Sequence, residues 1–190
     1  MSSDLKRVVS FYTPNKKYSG NLEVQNPGMR TLDLMNSSNI YWKNPSDKSF
    51  NDALLLHDVS VEVLGGQVLN RYETLQLRIG DILFFSDELS VSGDETEKKR
   101  ARAISQKTNE KPSGLEIITR MRGDSFYLVK GFFYGLFRNK SQQRFIPLMA
   151  SAIFEVTRTG EKWQTTKLDI GNTFIGMSTV HIEACSIKSL

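Results

Sequence analysis

The chain has 190 residues, of which 39% are apolar and 10% aromatic, so it can bury a core and is not a disordered polymer. Its net charge of +4 is too small for a dedicated polycationic arm, and its single cysteine, Cys185, excludes an intrachain disulfide and a cysteine-based zinc cluster. The first residues, Met1-Ser-Ser-Asp-Leu-Lys, lack the apolar core of a signal peptide, and the longest dense apolar stretch, Gly131 to Phe137, is too short to span a bilayer. The expected setting is a reducing cytoplasm, away from membranes.

Most segments alternate apolar and polar residues with period two, the pattern of half-buried strands. In chain order the candidates are Arg7 to Tyr12, then Tyr18 to Val24, with Tyr18, Gly20, Leu22 and Val24 on one face. Leu54 to Leu64 follows, with Val59, Val61 and Val63 on one face, and Gly65-Gly66 as a hairpin turn. Thr74 to Ile79 and Ile82 to Phe85 are separated by a turn at Gly80-Asp81. The second half continues with Leu115 to Met121, Ser125 to Arg138, Phe145 to Val156, Gln164 to Ile170, and Thr173 to Cys185 with a break near Gly176.

Two stretches interrupt this pattern. Gln25 to Asn51 is an insert with a turn at Asn26-Pro27-Gly28, a possible helical turn at Thr31 to Asn36, and Trp42; it is either a functional loop or a packed cover over the end of a barrel. Ser86 to Ser113 runs from acidic to basic, with capping-box spacing at Asp94-Glu95-Thr96-Glu97 and little apolar surface, so a solvated helix or a flexible linker is expected.

The halves also resemble each other. Leu77-Arg78-Ile79-Gly80-Asp81 can be laid over Leu168-Asp169-Ile170-Gly171-Asn172, an offset of 91. Leu54 to Val63 then falls on Ile146 to Glu155, and Lys17 to Gly20 on Leu128 to Gly131. A glycine in the middle of each second strand suits a sharp bend or close backbone approach. The expected fold is therefore all-β: two tandem, duplicated small antiparallel barrels or sandwiches, residues 1–85 and 114–190, joined by a charged linker at 86–113.

Tyr18-Ser-Gly20-Asn-Leu22, Arg30-Thr-Leu32-Asp33-Leu-Met-Asn36 and the aliphatic run Leu54 to Val63 together resemble an uncharacterised bacterial family of small β domains, over residues 7 to 85. That resemblance implies a strand with a glycine, a short arginine-to-asparagine segment and a hairpin, and it implies no activity. The first half also has the approximate strand lengths of an Sm-like barrel.

No catalytic motif is legible. His57 and Asp58 are neighbours on a strand, so they point to opposite faces and cannot form a base and its orienting carboxylate. His181, Glu183 and Cys185 share one strand face by spacing; they suit a metal only with further ligands, and a half-exposed polar face is the simpler expectation. The chain lacks a Gly-x-Ser-x-Gly elbow, a Walker lysine loop and a dinucleotide fingerprint. The expectation is a protein that is not an enzyme and carries no cofactor or metal.

The informative stretch is Ser125 to Arg138. Tyr127, Val129, Gly131, Phe133, Gly135 and Phe137 make one apolar face, and Phe126, Leu128, Phe132, Tyr134 and Leu136 make the other largely apolar as well. A strand apolar on both sides needs cover on both, and packing of the other half of the chain, another subunit or a partner can supply it. Between Leu115 and Phe145 lie six bases and two acids, which accounts for the whole charge excess. The candidate binding surface is Lys130, Phe132, Tyr134, Arg138, Lys140 and Arg144. It serves either as an aromatic β surface for a protein partner or self-association, in an adaptor or assembly module, or as a single-stranded nucleic-acid site in which aromatics stack on bases and cations hold phosphates.

Overall fold

The structure is a computed structural model that describes residues 5–24, 29–37, 52–64, 66–87, 114–132, 143–170 and 174–188. The amino-terminal half contains β1 (Leu5–Thr13), β2 (Lys16–Val24), the short helix α1 (Thr31–Asn36), β3 (Ala53–Val63), β4 (Gln67–Arg78) and β5 (Phe84–Asp87). The carboxy-terminal half contains β6 (Gly114–Thr119), β7 (Ser125–Phe132), β8 (Phe145–Thr159), β9 (Lys162–Leu168), β10 (Phe174–Ser178) and β11 (Ile182–Lys188). Single 3-10 turns, Ile79–Asp81 and Thr179–His181, precede β5 and β11.

The all-β expectation holds. All eleven strands join one antiparallel sheet in the order β11-β6-β7-β8-β10-β5-β1-β2-β3-β4, with β9 also paired to β8. The path starts at β11 and stops at β4, so the sheet is open. Long β8 pairs with β7 along one edge; along the other it pairs with β10 through Phe145 to Met149 and with β9 through Ile153 to Thr159. Between β3 and β4, where the hairpin turn is expected, the Gly66 N–H donates to the Val63 carbonyl at 3.0 Å, and Gly66 has φ +99°, a backbone that L side chains rarely adopt; Gly65 lies outside the described residues.

Two apolar cores sit on the sheet. The first gathers Val9, Phe11, Leu22, Val24, Leu54, Leu56, Val59, Phe85 and the helix residues Leu32, Leu34 and Met35. The second gathers Leu115, Ile117, Tyr127, Val129, Ile146, Leu148, Ile153, Ile175 and Met177. Neither is confined to its own half. Tyr12, Leu83 and Phe84 enter the second core, and Phe145 enters the first. Alternation along the strands explains this: Phe11 and Tyr12, like Phe84 and Phe85, point to opposite faces of the sheet.

The two halves share their pairing register. Gly20 faces the buried Val9 on β1, and Gly131 faces the buried Leu115 on β6. On its other side each glycine lies at a register shift against the third strand of its half, between Ser19 and Asn21 in one case and between Lys130 and Gly131 in the other. Tyr18 lies opposite Val61, and Val129 opposite Ile153. Further along, Ala53 pairs with Arg78 and Leu54 with Leu77, just as Phe145 pairs with Ser178 and Ile146 with Met177. The ladder thus sets Leu77 against Met177, not against Leu168, which pairs with Ile153. The offset of 91 is corrected at this point: the stretch after β9 is longer than the corresponding part of β4, and β10 resumes the pairing. The break expected near Gly176 falls instead at Thr179–His181.

The described part of the insert, 29–37, is a packed cover. Leu32, Leu34 and Met35 enter the first core, and polar contacts brace the segment and tie it to the sheet, among them Arg7 of β1, which donates to Thr31 Oγ1 at 2.9 Å. Arg30 grips Asp33 through two hydrogen bonds, Nε to Oδ2 at 2.6 Å and Nη2 to Oδ1 at 2.7 Å. Thr31 donates to the buried Asp87 at the end of β5. Asn36 donates to the Phe145 carbonyl at 3.0 Å and accepts from the Phe145 N–H at 2.9 Å, as a neighbouring strand would. The linker beyond Asp87, up to residue 113, lies outside the described residues.

His181 closes the joint between the halves. It is 2% exposed, and its Nε2 lies 2.7 Å from the Gly80 carbonyl, to which it donates when neutral, while its buried Nδ1 has no hydrogen-bond partner. Burial holds its pKa below the ordinary value of 6.5; Arg122 and Arg120 push the same way, and the Gly80 contact and Asp81 oppose them. The shared strand face expected for His181, Glu183 and Cys185 is overturned, because the 3-10 turn buries the histidine and a register shift between Ile182 and Ala184 breaks the alternation.

Two predictions follow from this packing. A Cβ on Gly131 would stand 2.3 Å from the Met149 carbonyl oxygen and 2.9 Å from the Ala150 Cα, both backbone, whereas a Cβ on Gly20 would meet nothing closer than 3.1 Å. Gly131→Ala is expected to destabilise the fold by about 1–3 kcal/mol and Gly20→Ala by less, measured by urea unfolding. A neutral buried His181 binds fewer protons than its unfolded counterpart, so its contribution is complete above pH 6.5 and is lost as pH falls through the lowered folded value. The urea midpoint is expected to drop between about pH 8 and about pH 5, and less so in His181→Gln.

Candidate interaction surface

Strands β6, β7 and β8 turn one face to the second core and the other outward, and β9 extends the sheet beside the exposed end of β8. The inward face of β7 carries the buried Tyr127, Val129 and Gly131, as its alternation requires. Tyr127 donates from its hydroxyl to Glu155 at 3.2 Å. Burial first, and the neighbouring carboxylate second, push the Tyr127 pKa far up, so the phenol stays protonated. Burial also raises the Glu155 pKa, against the effect of the Tyr127 hydrogen bond.

The outward face carries Phe126, Leu128, Lys130 and Phe132, all half-buried. Pairing register determines what surrounds them. Leu128 lies between Ile118 of β6 and Phe154 of β8; Phe126 lies opposite Val156; Lys130 lies between Glu116 and Ala152. Trp163 of β9 packs edge-on against Phe126, with ring centroids 5.9 Å apart. Lys130 spans the apolar ground, its Nζ 3.4 Å from Glu116 Oε1 and 6.0 Å from the centre of the Phe154 ring. Ile118 is 40% exposed and Trp163 51% exposed, so this face is an open apolar surface and not a second core.

Two matching cross-strand pairs of the amino-terminal half are polar, while the counterpart of Ile118 is the buried Tyr12. Where the carboxy-terminal half pairs Leu128 with Phe154, the other pairs Lys17 with Glu62, their charges 3.8 Å apart. Where it has Glu116 and Lys130, the other has Ser10 and Ser19, joined oxygen to oxygen at 2.9 Å. At these two cross-strand pairs one backbone plan thus carries polar partners in one half, and an apolar pair and an ion pair in the other.

Of the six residues expected to bind, Lys130 and Phe132 lie on this face. Arg144 stands apart at the start of β8, with Nη1 3.5 Å from Asp52 Oδ1. Tyr134, Arg138 and Lys140 lie outside the described residues. The surface gains Ile118, Phe154, Val156 and Trp163, which alternation along single strands could not place beside Leu128; only the register of pairing does that.

Among the described residues no three His, Cys, Asp or Glu side chains gather as metal ligands. His57 Nε2 lies 3.1 Å from Glu23, while Asp58, at a backbone φ of +51°, accepts from Asn21 and lies 3.7 Å from the Lys6 Nζ. Among the described residues no helix is long and apolar enough to cross a membrane. Comparison of the chain with protein-family models, with curated proteins and with solved structures finds no match in any of the three.

Proposed function

We propose that this protein is a non-enzymatic assembly module, made by duplication of one small barrel-like β unit, which binds a protein partner through the outward face of β6 to β9. The observation that carries the reading is the exchange of a cross-strand ion pair, Lys17 with Glu62, for the apolar pair Leu128 with Phe154 at the matching site. Exposed sheet faces are ordinarily polar, and an apolar replacement is costly to leave in water unless something covers it. Duplication is supported by the common register of Gly20 and Gly131 and by the two separate cores. Single-stranded nucleic acid is the competing ligand. Lys130 and Arg144 each already face a carboxylate, at 3.4 and 3.5 Å, which favours a protein partner over phosphates.

The test restores the polar pair. In Leu128→Lys/Phe154→Glu the face copies the amino-terminal half, so circular dichroism and the unfolding midpoint are expected to stay near those of the parent. Loss of two half-buried apolar side chains, about 1–2 kcal/mol each, is expected to weaken partner binding at least about tenfold. The readout is affinity capture from cells with parent and variant baits, with and without nuclease. Equal capture by both baits rejects the reading. Capture that vanishes with nuclease and falls steeply with salt replaces it with the nucleic-acid one.

A further inference from the structure

We propose that the free edges of β11 and β4 pair with each other between chains, so that the protein assembles head to tail with copies of itself through a repeat of its own internal joint. The proposal rests on the assembly reading above and names the partner at the sheet edge as a second copy; the partner of the outward face is a separate matter.

Inside the chain the halves are joined by β5 and β10, with Phe85 opposite Gly176 and Phe84 opposite Met177; the Ser178 N–H donates to the Leu83 carbonyl at 2.9 Å. Each partner has a counterpart at an end of the sheet. β11 pairs with β6 as β5 pairs with β1: Cys185 lies opposite Ile117 and Ala184 opposite Ile118, as Phe85 lies opposite Phe11 and Phe84 opposite Tyr12. The last residues of β4 pair with β3 as β10 pairs with β8, so Gln76 and Leu77 correspond to Gly176 and Met177. Among the described residues β11 and β4 each have one strand neighbour and end the sheet. Edges of this kind present unpaired N–H and C=O groups that template another strand.

The side chains support the same joint. Tyr12 is 2% exposed because the second half covers it; its counterpart Ile118 is 40% exposed, and Val180, on the turn before β11, is 58% exposed. Extending the internal register to the outer edges sets Cys185 opposite Gln76 and Ala184 opposite Leu77. The next position sets Glu183 opposite Arg78, an opposite-charge cross-strand pair that steadies this register against slippage. The external joint lacks the His181 contact, since Asp81 stands at the corresponding position, so it is weaker than the internal one and depends on concentration. A joint between different surfaces does not exhaust itself in a dimer: it closes into a ring or continues as a filament.

The native Cys185 makes the register directly testable. Residues opposite each other in an antiparallel pair approach to about 4.5–5.5 Å between Cα atoms, within disulfide range. Mild oxidation of Gln76→Cys, with Cys185 in place, is expected to give a ladder of disulfide-linked dimers, trimers and larger species on a non-reducing gel. Gln76→Cys/Cys185→Ser and the off-register Asn70→Cys should stop at dimers. In sedimentation of the unmodified chain, the apparent mass should rise with concentration to at least double the 21.6 kDa monomer. Glu183→Arg and Arg78→Glu should each abolish that rise, and the double reversal should restore it.

A Gln76→Cys chain that yields nothing beyond dimers, or an unmodified chain that stays monomeric throughout, overturns the proposal. If that happens while Leu128→Lys/Phe154→Glu still loses its partner, the edge proposal fails and the face reading stands. A ladder combined with unchanged capture gives the reverse result.

Discussion

Strand β5 constrains everything around it. It is only four residues long, yet all four are buried, both its edges are paired, and both its faces meet a core. Phe85 packs against Phe11 and Phe145 on one side, with ring centroids 6.1 and 5.3 Å away. On the other, Phe84 stacks on Tyr12 at 4.5 Å and meets the edge of Tyr127 at 5.8 Å. On the strand beside it, Gly176 has no side chain because a Cβ there would stand 2.2 Å from the Phe85 ring. The two halves are therefore bound by continuous aromatic packing through a sheet. The charge that ends the strand, Asp87, is buried too, and it is held by Thr31 and by Arg7, whose Nε lies 3.8 Å away.

Around this strand one backbone plan serves two purposes. Both halves set a glycine against a register shift, and both bury apolar residues of their first strand in one core with a valine or isoleucine of their third. They diverge where the plan allows it. The amino-terminal half adds a helix over its core and keeps a serine pair and an ion pair on its other face, where Tyr12 is buried by the second half. At the corresponding outer positions the carboxy-terminal half places leucine, phenylalanine and a lysine that lies along them. A sheet tolerates this because inner and outer residues alternate, so the outer face can change while the core-facing residues stay as they are.

Much of the strand pattern was legible in the sequence, because period-two alternation in β1, β2, β3 and β7 directly reflects burial on one face. The mid-strand glycines and the hairpin at Gly66 were legible for the same local reason. What failed was whatever depends on partners. β5 reads as two aromatics followed by two polar residues, and nothing in Phe84-Phe85-Ser86-Asp87 says that both faces are covered by different halves. His181 looked like one of three polar residues on a strand, since one 3-10 turn and one register shift suffice to break the alternation. The offset of 91 rested on a similar string of residues that the ladder places elsewhere. The outward apolar surface was half legible: Leu128 and Phe132 announce it, whereas Ile118, Phe154 and Trp163 join it only through cross-strand pairing.

The place of Phe145 bears on the order in which the molecule is made. Its ring completes the core of the amino-terminal half, and its backbone is clasped by Asn36, 109 positions earlier. During synthesis the first five strands emerge well before this residue does. Until then Asn36 lacks the backbone it clasps and the Phe85 ring lacks one of its neighbours, while Thr31 and the apolar helix residues have theirs. The core of the early half is therefore completed only by a residue of the late half, a long-range closure of the kind that slows folding.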